Sequence, residues 1–359
     1  MRKTKLFLCA HLNRTNAQNL NCLGLALHLD TRKYDVRAMV YDKGDFDLPP
    51  LPGIRLWKCR WPYKACRYWY ILKAAATCDL LYLPKRDAVP YTSFLLKLFR
   101  TRSFLTVEGV ITGERFEKII RQLGSEEKTR RNFNFTDYSF SISRFMADYN
   151  FKRLGIRSDG ILHLGIVSEP FRNTVVRGEN MRNVVFIGND IAGKGIGDYL
   201  DAAAEFPELT FHVIGGNGRF DLEGETARRS LSNVVYHGNL SHVQLCGVLK
   251  EMDILYLPSR SEGFPKVVLE CAAAGIPSIL YGDYGADEWL KHGINGWVVD
   301  TPQEARSVIA ELMRFPGTLG RMASECVALA EHYDWKNRIA DWEKAIEGIM
   351  KSSRKRSHN

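Results

Sequence analysis

The densest set of residues able to do chemistry is Pro258-Ser-Arg-Ser-Glu262-Gly-Phe-Pro-Lys-Val-Val-Leu-Glu270-Cys-Ala-Ala-Ala-Gly275-Ile-Pro277. The apolar run Ile254–Leu257 predicts a buried strand leading into a loop that carries Glu262 and Gly263. Pro265 suits the first turn of a helix, where its missing N–H costs nothing. The helix should run to Ala274 and stop at Gly275, with Pro277 beyond. Its start offers unpaired N–H groups and a partial positive charge to an anion, and a diphosphate fits that description. Glu270 falls about a turn and a half into the helix, far enough from the anion to hydrogen-bond a neutral hydroxyl. Glu262, on the loop, is placed to orient hydroxyls or to steady a transition state. The plain alternative is a solvated loop glutamate and a helix-surface glutamate.

Other short patterns carry weaker signals. Gly215-Gly-Asn-Gly218 after an apolar run lets the chain turn beside a ligand. Asp45-Phe-Asp47 spells the D-x-D of metal-dependent transferases, but it lies in a Gly/Pro-rich connection in the other half of the chain, so no metal is expected. The eight cysteines are scattered without a C-x-x-C pair, which suits reduced, buried thiols rather than a zinc site. In His11-Leu-Asn-Arg-Thr-Asn-Ala-Gln-Asn19-Leu-Asn21, side-chain amides and hydroxyls, with Asn13, Asn16 and Asn19 the candidates, could hydrogen-bond a sugar acceptor, or else form a polar loop capping the next helix. Glu108, at the end of a predicted strand and before Gly109, is either a hydrogen-bonding carboxylate for a substrate or a turn residue.

These residues need elements to position them. In the first half, Lys5–Ala10, Tyr34–Tyr41, Leu80–Pro84, Ser103–Val107 and Ser139–Ile142 read as strands, with helices at Leu20–Leu29, Trp69–Thr77 and Thr92–Phe99. In the second, strands at Val184–Gly188, Thr210–Ile214, Val234–His237, Ile254–Leu257, Ser278–Leu280 and Trp297–Val299 alternate with helices at Ile196–Ala204 and Ser241–Lys250. This alternation predicts parallel sheets covered on both faces, hence an α/β chain of two doubly wound Rossmann-like domains facing across a cleft. The expected divisions are a domain at 1–168, a domain at 181–330, a terminal helix at 331–350 and a disordered basic tail at 351–359.

The 359 residues are enough for two domains with full cores. No run of about 18 apolar residues is present to span a bilayer, and the short apolar run after Met1 reads as a strand rather than a leader. Charge divides sharply: residues 1–168 hold 29 Lys/Arg against 15 Asp/Glu (net +14), and residues 169–359 hold 21 against 26 (net −5). The basic half calls for an anionic partner: membrane surface, phosphorylated acceptor or nucleic acid. Within it, residues 55–73 contain six Lys/Arg and six Trp/Tyr with no acid, a composition suited to a bilayer interface or to a helix with core aromatics and a basic face. Phe94–Arg102 is a second such stretch.

The run at 258–277 resembles glycosyltransferase family 4, the retaining group 1 glycosyltransferases of GT-B fold, whose pattern P-S-x-x-E-G-x-x-x-x-x-L-E-x-x-A-x-G-x-P it matches at nearly every fixed position. Gly285-Ala-Asp-Glu288-Trp-Leu-Lys-His-Gly293-Ile-Asn-Gly296 looks like the turn, helix and strand that follow in that family. Gly188-Asn189-Asp-Ile-Ala-Gly-Lys194-Gly195 resembles its phosphate loop, and Asn233-Val-Val-Tyr-His-Gly238 the strand bordering the nucleobase. The resemblance covers residues 160–345 well and the first 160 in layout alone. It implies Glu262 on the donor sugar or its proximal phosphate, Glu270 on the ribose hydroxyls, and Lys194 neutralising the diphosphate. The N–H groups of Phe264, Lys266 and Val267 complete the cradle; Pro265 has none. Two positions depart from the family: Asn189 stands where an arginine is usual, and Glu108 where a histidine is usual.

The expectation is therefore a metal-independent hexosyltransferase with catalytic Glu262, Lys194 and Glu108. Asn189, Gly263, Phe264, Pro265, Lys266, Val267, Glu270, Gly215 and Gly238 are assigned to the donor. No cofactor is implied, the nucleotide-sugar being a co-substrate. The acceptor is a lipid-linked molecule or glycan of cell-envelope or polysaccharide biosynthesis, reached from the cytoplasm, with peripheral attachment to an anionic membrane face. Asn189 and Glu108 leave two alternatives, a catalytically weak nucleotide-sugar-binding protein and a sugar-nucleotide epimerase. Nucleic-acid binding has the basic half in its favour but no recognised motif, and it leaves the two glutamates unexplained.

Overall fold

A computed structural model describes residues 2–85, 89–111, 113–172, 180–216, 218 and 220–352. Residues 173–179 of the expected interdomain stretch, Asn217, and the tail beyond Ser352 lie outside the described residues. The chain forms two compact units, Met1–Gly165 with Trp335–Asn359, and Ile166–Asp334. It therefore crosses between them twice, first ahead of Ser168 and again before the terminal helix.

In the first unit, β1 (Thr4–His11) has Leu6, Phe7 and Leu8 fully buried, as a strand covered on both faces requires. It is followed by α1 (Ala17–His28), β2 (Tyr34–Tyr41), β3 (Arg55–Cys59), α2 (Tyr63–Thr77), β4 (Leu80–Tyr82), α3 (Val89–Phe99), β5 (Arg102–Val107), α4 (Gly113–Leu123), α5 (Glu126–Phe133), β6 (Tyr138–Ser141) and α6 (Arg144–Leu154). The sheet runs β3-β2-β1-β4-β5-β6, every neighbour parallel. Strand β3 was not expected. The basic–aromatic stretch supplies it because Trp57 stacks on Phe7 (5.1 Å) and packs against Tyr70 of α2 (5.3 Å), anchoring an otherwise exposed edge. Helices α4 to α6 escaped the periodicity reading because they are rich in polar residues. Ser125 and Ser143 start α5 and α6 by accepting from the N–H groups of Lys128 and Met146.

The second unit comprises β7 (Asn183–Ile187), α7 (Ile196–Glu205), β8 (Thr210–Ile214), α8 (Leu222–Arg228), β9 (Val234–Gly238), α9 (His242–Leu249), β10 (Ile254–Leu257), α10 (Lys266–Ala273), β11 (Ser278–Tyr281), β12 (Gly296–Val299), α11 (Pro302–Arg314) and α12 (Gly317–His332). Its sheet, also parallel, runs β12-β11-β10-β7-β8-β9. The last helix, α13 (Trp335–Lys351), belongs to the first unit. There Trp335 lies so close to Gly24 and Gly165 that a Cβ at either would collide with its ring, and the Trp342 Nε1 donates to the His163 carbonyl at 2.8 Å.

Each sheet starts from an inner strand and builds outward both ways, so strand order reverses between β1 and β4 and between β7 and β10. Loops leaving the carboxyl ends of such a pair splay to opposite faces and open a crevice, the usual ligand position in open α/β sheets.

Candidate functional site

In the second unit that crevice is bounded by the loops after β7 and β10, with the turn after β8 beside them. The backbones approach one another more closely than side chains permit. Gly215 (φ +124°) and Gly195 (φ +83°) sit where a Cβ would run into the carbonyls of Gly188 and Pro258, respectively. The Gly215 N–H donates to the Gly238 carbonyl at 2.8 Å, and the Gly188 N–H to the Ile214 carbonyl at 2.9 Å. Glycine is required at 195 and 215 both by the left-handed φ and by the missing space. Gly188, Gly195, Gly215 and Gly238 thus form one backbone floor, with Asn189 exposed on its rim.

Across this floor the Lys194 side chain lies over Gly188, and its ammonium pairs with Glu262. The two residues are 68 positions apart, and only the adjacency of β7 and β10 brings them together. Helix α10 begins just beyond, at Lys266. Pro265 stands at its N-cap, where its ring supplies no side-chain cap bond. Phe264 packs on Trp289 (5.2 Å) and Tyr333 (5.0 Å), which fixes the path of the loop carrying Gly263 and Pro265. Arg260, on the same loop, is paired with Asp283 at 3.1 Å and lies over the Tyr281 ring.

Glu270 is buried in α10, not on the helix surface. Burial pushes its carboxyl above the usual range, while His242 and Lys266 pull the other way. The His242 imidazole lies 3.8 Å from its Oε1, too far for a hydrogen bond. A buried carboxylate whose strongest partner is a distant, exposed histidine is costly for the empty protein and well suited to accepting hydrogen bonds from hydroxyls.

In the first unit Glu108 caps β5 within a relay. The Thr106 hydroxyl donates to Oε1 (2.7 Å), the buried Tyr82 hydroxyl lies 2.7 Å from that of Thr106, and the Asn21 amide donates to Oε2 (3.0 Å). Burial, and next Glu108, raise the Tyr82 phenol far above its ordinary value, so it remains a neutral donor. The three asparagines named as acceptor ligands all bond to the backbone around them, as the capping-loop alternative expects. Asn13 clasps Tyr41, donating to its carbonyl (2.9 Å) and accepting from its N–H (3.0 Å). Asn19 accepts from the His11 N–H (3.2 Å) and is buried. Asn16 is the N-cap of α1, although it also lines a cavity of about 430 Å³ with Lys85 and Gln122. Backbone groups left at the loop after β1 claim these side chains because short amides satisfy such groups without lengthening the turn. Asp45 is likewise occupied, accepting from the Thr15 N–H (2.9 Å) and pairing with Arg14 (2.9 Å).

Sequence reasoning missed Tyr284. Tyr284 is buried, its hydroxyl has no partner among the described residues, and burial followed by the charges of Glu262 and Asp283 holds the phenol neutral. Nothing local in the sequence marks it; its meaning comes from Glu262, a neighbour distant in the chain.

Comparison with known proteins adds to this geometry. Residues 168–324 match the family described as glycosyl transferases group 1. An uncharacterized glycosyltransferase of Methanocaldococcus jannaschii is 26% identical over 181 residues, 46% of each chain. The α-D-kanosaminyltransferase of Streptomyces kanamyceticus is 31% identical over 155 residues, 41% of this chain and 40% of the relative. These alignments span less than half the length of the curated relatives. The fold likeness is broader: the Anabaena protein HepE, solved in complex with UDP, superposes with a TM-score of 0.77 at 17% identity, covering 96% of this chain and all of that one. The chain therefore has the GT-B fold.

Proposed function

We propose, from the match of residues 168–324 to the family described as glycosyl transferases group 1, that this chain moves a hexosyl group from a nucleoside-diphosphate donor to a glycan or lipid-linked acceptor with retention at the anomeric carbon. The observation that carries the reading is the convergence of Lys194 and Glu262 at the crossover between β7 and β10, beside the uncapped start of α10. Lys194 and the first N–H groups of α10 meet the diphosphate, Glu262 is exchanged from Lys194 onto the donor sugar, and Glu270 accepts from the ribose hydroxyls. In the reaction the bond from the anomeric carbon to the phosphate oxygen breaks. The acceptor oxygen bonds to that carbon on the same face, and its proton passes to the departing diphosphate. The ammonium and the helix start stabilise the charge that grows on the leaving group. In this scheme they supply the positive charge a divalent cation would otherwise provide, so transfer should survive chelation.

HepE, solved with UDP and with UDP-glucose, makes uracil the first base to try. Glu108, held by the Thr106 and Asn21 donors, and the cavity beside Asn16 support an acceptor site on the first unit. A cell-envelope or polysaccharide product, made on the cytoplasmic side, fits such an acceptor. The test is a thermal-shift screen of UDP-, GDP- and ADP-sugars, followed by NMR of the product anomer with and without EDTA. Ligand at a hundredfold excess over Kd stabilises by about 2.7 kcal/mol, enough to move the melting midpoint by several degrees. If no nucleotide moves the midpoint, the donor site is misassigned. An inverted product, or activity lost to EDTA, would overturn the mechanism alone.

A further inference from the structure

Helices α2 and α3 pack side by side on one face of the first unit's sheet, and both are apolar on two faces. Inward, Ile71, Ala74 and Ala75 of α2 join Leu95 and Leu96 of α3 in one core cluster. Outward, Trp69 is 60% exposed, Phe94 62% and Leu98 59%, and Trp61, just ahead of α2, is 82% exposed. A seam connects the two outward faces: the Tyr91 ring meets that of Tyr68 edge-on at 5.2 Å, and its hydroxyl donates to the Tyr68 carbonyl at 3.2 Å. Trp69 adjoins one side of this seam in sequence. Phe94 and Leu98 follow Tyr91 at one-turn and two-turn spacings on the other.

The exposed charge carried by these two helices and their flanks is of one sign, with the exposed Asp42 meeting the Tyr63 hydroxyl at the start of α2. Arg60, Lys64, Lys73, Lys97 and Arg100 are all exposed. The chain has no Asp or Glu between Asp47 and Asp79, nor between Asp87 and Glu108. Isolated exposed apolar residues are ordinary, but three large ones on adjoining helices that carry no acid, with Trp61 just ahead of them, are not. A purely ionic partner would leave Leu98 and the tryptophans in water, and an apolar protein groove would leave the cations without partners.

We propose that this face docks on a bilayer surface containing anionic lipid. Trp61, Trp69, Phe94 and Leu98 enter the boundary between headgroups and acyl chains, while the surrounding cations meet lipid phosphates. The inference rests on the first unit alone and holds whether or not the donor reading does.

The full chain is sedimented with phosphatidylcholine vesicles, with and without phosphatidylglycerol, at low and high salt. Binding is expected to the anionic vesicles alone. Salt should weaken it, and each Lys64→Gln or Lys97→Gln substitution should weaken it roughly fivefold. The double variant Trp69→Ser, Phe94→Ser should weaken partition more than tenfold while keeping the melting temperature. Brominated lipid should quench the fluorescence difference between the native chain and its Trp61→Phe, Trp69→Phe variant. The proposal is overturned by absence of binding to anionic vesicles at low salt, or by binding indifferent to the Trp69/Phe94 change. It is equally overturned if duplex DNA is bound with the same dependence on Trp69 and Phe94, which would make the face a nucleic-acid surface.

Discussion

Replacing Glu262 with glutamine should move donor binding and turnover in opposite directions. Glu262 is paired with Lys194, so if Lys194 meets the diphosphate as proposed, each binding event must first separate the two. Two unit charges at contact in surroundings of effective dielectric ~20 attract by about 4 kcal/mol. This pair is partly open to water, its side chains 24% and 12% exposed, so that figure is an upper bound. Pairs fully open to solvent contribute about 1 kcal/mol or less. A value of about 1–2 kcal/mol lies between these limits, and Glu262→Gln should therefore tighten binding of the free nucleoside diphosphate about fivefold to thirtyfold. The carboxylate's hydrogen bonds to the sugar are lost in the same variant, and with them about 1.5–3 kcal/mol, or about tenfold to hundredfold in rate. Titration calorimetry with UDP, or with whichever nucleotide the thermal screen selects, reads the first effect, and steady-state transfer reads the second. Unchanged or weaker nucleotide binding by the variant would refute the competition between Glu262 and the diphosphate. An unchanged rate would remove Glu262 from the reaction.

Gly215→Ala combines a left-handed φ with a collision against the Gly188 carbonyl, so it should destabilise the protein by about 2–4 kcal/mol and abolish nucleotide-induced stabilisation; thermal melts with and without nucleotide check both. Glu270→Gln should leave the ligand-free protein as stable or more stable at neutral pH, while weakening nucleotide binding by about tenfold or more. Because burial raises the Glu270 pKa in the folded state, the native protein holds its proton longer than the unfolded chain does. Its contribution to stability is therefore lost as pH rises through the carboxylate range, and urea midpoints should show that slope in the native chain and not in the variant. Asn21→Asp sets a second carboxylate where an amide now donates to Glu108 at 3.0 Å, and should cost about 1–3 kcal/mol near neutral pH, relieved on acidification as one carboxyl takes up a proton; chemical denaturation at two pH values tests it.

Much of this architecture is local and was legible without coordinates. Apolar runs of strand length at Leu6–Ala10 or Ile254–Leu257 have no stable place except inside a covered parallel sheet, and the spacing of Glu262, Pro265, Glu270 and Gly275 specifies a loop, a helix start and a helix stop. Residue types at short separation carry that information because capping, turn conformation and periodicity act over a few residues. Tertiary structure decided what depends on neighbours remote in the chain. Lys194 meets Glu262 because β7 lies beside β10, and Glu270 is buried because α10 is enclosed by the residues packed around it. Asn13, Asn16 and Asn19 serve the backbone around them, although their composition alone suits a sugar equally well. Trp57 became the anchor of an edge strand once Phe7 and Tyr70 were beside it, while Trp61 and Trp69 in the same stretch stayed outside. A side chain's chemistry is written in its type; whether that chemistry is spent inside the fold or left for a ligand is decided by which groups the packed chain brings within hydrogen-bonding or contact range.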